Sequence, residues 1–183
     1  MFNFLKNTKQ SDSTLGTNLT ERRFEENCRA KITKAIQSLN INIEQDLDNT
    51  RYGVESTLAV VRKIMDTAGV DMNDIAEDED DIFTGGLFCL ILSSHITRVV
   101  KSEFEIVSAM AIFNLLFDSC RKHTGEYVPL IINLYAQGVD NNREVINAVG
   151  QNFVEWIENP TDEHFVKTVG LYHVCKKSIA IKE

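Results

Sequence analysis

Seven carboxylates and no basic residue fall within the eleven positions from Asp71 to Asp81, DMNDIAEDEDD. Carboxylates at that density can do two kinds of chemistry: hold a divalent cation, or present a field that draws in a basic surface. The rest of the chain is close to neutral. Ten Lys/Arg stand against nine acids over residues 1–70, seven against eight over residues 120–183, and two against ten between. This one segment therefore accounts for nearly all of the net charge of −8. A calcium hand is a poor fit, because the twelve residues from Asp71 to Ile82 lack the glycine at the sixth position and the glutamate at the twelfth. Close like charges repel by up to about 1 kcal/mol per pair in water, which keeps such a segment solvated.

Within the run, Glu77-Asp78-Glu79-Asp80-Asp81 resembles the aspartate-rich Mg²⁺ motif of helical prenyl-transferring enzymes. The resemblance covers five residues and implies a metal-held diphosphate, with Asp78 and Asp81 as the candidate ligands. No second aspartate-rich motif accompanies it, so the activity is not carried over. Glu155-x-x-Glu158 has the spacing used by all-helical nucleotide pyrophosphatases, but Pro160 follows at once and solvated acids three apart are common on helices. The histidines form no constellation. His95 lies in the most apolar stretch, His123 follows Cys120, His173 precedes Cys175 by two, and His164 stands beside Asp162 and Glu163. None repeats the ligand spacing of a zinc site. The chain has no His-Glu-x-x-His, no Gly-x-Ser-x-Gly and no phosphate-binding Gly-Lys-Ser/Thr loop, so the familiar hydrolase and nucleotide-hydrolase routes lack their residues. No cofactor is expected.

The elements that must position these residues are helices. Two prolines in 183 residues and 43% hydrophobic content suit one helical domain with a core that needs neither disulfide nor metal. Residues 1–18 lack periodicity and read as a mobile leader, whose Phe2, Phe4 and Leu5 are too few to anchor a membrane. Thr20 is the expected N-cap of the first helix, and a second runs from about Asp48 to Ala68 with Gly69 closing it. Segment 71–84 reads as an acidic connection. Helices at about 85–101 and 103–123 follow, with Ser102 expected to cap the latter and Thr124-Gly125 to end it. A short helix near Pro129, one from about Asn141 to Glu158 and one from Thr161 complete a count of seven. The longest apolar stretch, Gly86 to Leu92, is short of the ~20 residues a membrane span needs.

The expected architecture is all-α: a single compact domain over 19–183, bundle-like or orthogonal, around a central apolar helical hairpin. Four widely spaced cysteines with no Cys-x-x-Cys pair suggest a reducing compartment, hence the cytoplasm. Nucleic acid is a poor partner for a chain of pI about 5.1 whose best basic stretch, Arg22 to Lys34, is interleaved with acids. The leading functional expectation is a protein-binding module, of the inhibitor, immunity-type or adaptor kind, that docks a locally basic protein. Its docking residues would be Asp71, Asp74, Glu77, Asp78, Glu79, Asp80 and Asp81, with Glu103 and Glu105 nearby. Two alternatives stand beside it. One is a divalent-metal enzyme acting on a phosphorylated small molecule through Asp78 and Asp81, and the other is a carrier of an apolar ligand held between the central helices.

Overall fold

The apolar run from Gly86 to Leu92 becomes the axis of the molecule. In the computed structural model, which describes residues 13–43, 47–73, 75, 78–117, 124–137 and 143–180, it lies within α3, Glu79–Val100. Ile82, Leu87, Phe88, Cys89, Leu90, Ile91, Leu92, Ile96 and Val100 are all buried there. Arg98 marks the side that stays in solvent, and a helix apolar around most of its circumference must be largely enclosed by others. The other six do so: α1 (Ser13–Ser38), α2 (Asn49–Thr67), α4 (Phe104–Leu116), α5 (Thr124–Gln137), α6 (Arg143–Glu158) and α7 (Asp162–Ala180) each contact α3. The described residues thus form one all-α domain of seven helices, without a strand.

Small residues let the neighbours approach. A Cβ at Gly85 would stand 2.8 Å from the Met65 sulfur of α2 and 3.2 Å from Leu115 of α4, and one at Gly86 would stand 2.5 Å from Ile131 of α5. Thr84-Gly85-Gly86 is therefore where three helices converge on α3. Phe88 meets Phe153 of α6 and Tyr172 of α7 edge-on, with centroids 6.0 and 5.2 Å away, closing the other side.

Several boundaries differ from the sequence reading. The helix α3 begins at Glu79, because Asp78 caps it, so the second half of the acidic run is helix rather than connection. At 22 residues α3 is long and apolar enough to cross a membrane by length and composition, yet 72% of its most apolar window is buried inside the protein. α1 is already helical at Ser13, so Thr20 lies within it and the end of the expected leader is helical; residues 1–12 lie outside the described residues. Thr124 and Gly125 open α5 instead of closing α4, and Pro129 sits inside α5, where it removes one intrahelical hydrogen bond. Glu103, not Ser102, precedes α4, without a side-chain cap. The turn between α3 and α4 is made by Lys101 in the left-handed region (φ 51°), its N–H bonding the Thr97 carbonyl.

Candidate functional site

The acidic run is divided by what its residues touch. Asp78 has extended backbone at the head of α3, and its Oδ1 accepts from the amides of Asp80 (3.0 Å) and Asp81 (3.2 Å). A carboxylate in that place satisfies orphan donors and complements the positive end of the helix dipole. Its other oxygen, Oδ2, takes a 2.7 Å bond from Lys176 Nζ of α7, and the same ammonium lies 2.8 Å from Asp81 Oδ1. Tyr172, one turn earlier on α7, donates its hydroxyl to Asp81 Oδ1 at 3.1 Å. Asp81 is only 7% exposed, so this network is an internal clamp between the head of α3 and the last helix.

The charges of the clamp follow from these contacts. The bond from Lys176 holds the Asp78 carboxyl below the usual carboxylate range, against a smaller opposing effect of burial. Burial works against the Lys176 charge, but its bonds to Asp78 and Asp81 outweigh that and raise its pKa. Burial, reinforced by the Asp81 charge, pushes the Tyr172 hydroxyl far up and keeps it a donor. The two carboxylates read as metal ligands are thus bridged by an ammonium that stands where a cation would sit. Among the described residues, no group of three His, Cys, Asp or Glu side chains converges.

The other acids face outward or lie elsewhere. Asp71 is exposed and, among the described residues, accepts from Asn73, through its amide (2.9 Å) and its side chain (3.1 Å). Glu79 is exposed and accepts from the Tyr127 hydroxyl at 3.1 Å, and Asp80 is half-exposed. None of Asp71, Glu79 and Asp80 makes an ion pair among the described residues. Asp74 and Glu77 lie outside the described residues. Glu103 and Glu105 are exposed at the far end of α3, about 33 Å away by the rise of its 22 residues, and do not join the others.

Sequence reasoning missed Lys176, because nothing in Lys176-Lys177 signals a partner 95 positions earlier. It also missed a groove of about 580 Å³ between α2 and α4, lined by the apolar Val54, Leu58 and Met110 and by the polar or charged Arg51, Glu55, Arg62 and Asn114. Beside it the outer side of α4 exposes Ile106, Met110, Phe113 and Phe117. That signal was in the sequence: α4 has more large apolar residues than one buried face can use.

Of the remaining candidates, Cys120 and His123 lie outside the described residues, and Cys89, Cys175, His95 and the Glu155/Glu158 pair are held by the fold. Burial pushes the Cys89 thiol up to about 12 and Cys175 up to about 11, which suits core residues rather than nucleophiles. His95 is half-buried against Gly150, and burial, then Arg98, lowers its pKa. The Glu155/Glu158 pair is split, with Glu158 bonded to Lys31 of α1 and Glu155 to Gln151, with Lys167 and His164 of α7 close by. Comparison with protein-family models, with curated proteins and with solved structures found no match.

Proposed function

We propose that this protein is a protein-binding module whose outward acids at the α2–α3 end dock a locally basic partner, as an inhibitor or adaptor would. The observation that carries the reading is the division of the acidic run. Asp78 and Asp81 are held by Lys176, while Asp71, Glu79 and Asp80, exposed or half-exposed, make no ion pair among the described residues. Like charges gathered at one end of a folded domain raise its folding free energy, and a partner's cations would relieve that repulsion. Clustered carboxylates also speed encounter with a cationic patch and disfavour nucleic acid. The fold supports this use at the head of α3, where the Asp78 cap fixes the first turn that carries Glu79 and Asp80, and Ile75 is buried nearby in the sequence.

The experiment is capture from the native lysate at low and high salt, with the wild-type chain and a variant carrying Asp71→Asn, Glu79→Gln and Asp80→Asn. Asp78 and Asp81 are left intact because they hold the fold. A basic protein retained by the wild type at low salt, released by high salt and missed by the variant is the expected result. Equal capture by both forms, unchanged by salt, would show that these acids do not dock the partner.

A further inference from the structure

The outer side of α4 carries an apolar stripe that the acidic docking reading does not use. Ile106, Met110, Phe113 and Phe117 are 45, 46, 43 and 44% exposed, and their 4-3-4 spacing puts them in one line along the helix. The line lies opposite the buried side formed by Val107, Ala111, Ile112 and Leu115. From Ile106 to Phe117 the helix has no charged residue, although a surface helix ordinarily carries its charges on that side. Phe113 and Phe117 already pack on each other, ring centroids 5.3 Å apart.

We propose that a second copy of this chain covers this stripe, the two α4 helices running antiparallel. The spacing is its own complement. It is symmetric about the midpoint of Met110 and Phe113, so a two-fold axis there sets Ile106 against Phe117 of the other copy and Met110 against Phe113, as an isologous interface requires. Charge agrees with that direction. Glu103 and Glu105 are exposed at the N-terminal end of α4, and Arg62 of α2 lies beside its C-terminal half, donating to the Asn114 carbonyl at 3.1 Å. Arg62 makes no ion pair among the described residues. Antiparallel pairing brings the Arg62 of each copy toward the other copy's Glu103, whereas parallel pairing sets like ends together. The four side chains leave roughly 350 Å² of apolar surface in water, a patch of the size that is often functional. Doubled by symmetry it gives roughly 700 Å², and Leu58, Arg62 and Asn114, which line the groove beside it, extend it toward the ~1,200 Å² at which stable interfaces begin.

The test is sedimentation equilibrium of the full chain over roughly 1–100 µM, a range spanning the affinities expected of a small interface. The expected result is a species of twice the 20.7 kDa chain mass for the wild type and a monomer for Phe113→Glu. Circular dichroism of Phe113→Glu should show unchanged helix content, since the residue is nearly half exposed. Arg62→Glu should weaken the dimer at least tenfold, and adding Glu103→Arg should restore it. A monomeric wild type at 100 µM, or a dimer indifferent to Phe113→Glu, would overturn the proposal. So would binding of the monomer to neutral phosphatidylcholine vesicles through Phe113, which would give the stripe to a lipid surface.

Discussion

At the scale of single residues, the Lys176 ammonium decides how the acidic run is used. It neutralises Asp78 and Asp81 from across the fold and leaves their neighbours to solvent. Replacing Lys176 with Met would strand Asp81 as a nearly buried charge, while Asp78, about half exposed, would lose less. The expected cost is about 2 kcal/mol in urea unfolding, below the 3–5 kcal/mol of a fully buried pair. Tyr172→Phe, which removes one donor and keeps the ring against Phe88, should cost about 1 kcal/mol by the same measurement. The pH dependence follows from the depressed Asp78 pKa. The stability it contributes is present above the ordinary carboxylate value of about 4 and is lost as pH falls through the folded value. The raised Lys176 pKa acts at the other limit, its contribution being lost only as pH climbs through a value above the ordinary ~10.4. Melting temperatures should therefore fall below about pH 4 in the wild type and much less steeply in Lys176→Met. Equal acid sensitivity in both would mean that the clamp contributes nothing.

At the scale of elements, α3 is stabilised by what surrounds it more than by its own propensity, since two adjacent glycines in a helix cost about 1 kcal/mol each relative to alanine. Gly86→Ala should still destabilise, by about 1–2 kcal/mol net, because the added methyl meets the Cδ1 and Cγ2 methyls of Ile131 at 2.5 and 2.8 Å. A denaturant midpoint that rose instead would show that α5 can shift away. The elements also show how far the sequence could be read. Period and capping residues revealed α2, read from about Asp48 to Ala68 and found at Asn49–Thr67 with Asp48 as its cap, and the burial of Leu87 to Leu92, because those signals are local. The start of α3 escaped, because a cap read as part of an acidic loop depends on Asp78 bonding the amides of Asp80 and Asp81. The end of α4 and the outward turn of Phe113 escaped as well. Apolar periodicity places a stripe on a helix but does not say which of two apolar sides the fold will bury.

At the scale of the whole molecule, the two ends of α3 carry different chemistry. One end holds outward acids on a clamped support, and the other leads into the apolar outer side of α4. The acidic segment was legible in composition, but its partition was not, since Asp78, Asp81, Tyr172 and Lys176 are brought together only by the packing of α7 on α3. Nor could charge counting show that Glu103 and Glu105 stand a helix length away from Glu79 and Asp80. If α4 pairs two copies, each particle presents two acidic ends, and binding to a surface with repeated basic sites would gain from avidity. The most direct measurement is the dissociation constant of the purified basic partner, titrated calorimetrically at about 50 and 300 mM salt. Wild type would be compared with the Asp71→Asn, Glu79→Gln, Asp80→Asn variant. The proposed role predicts a variant at least tenfold weaker at low salt and with a flatter salt dependence. Identical constants and identical salt slopes for the two forms would contradict it.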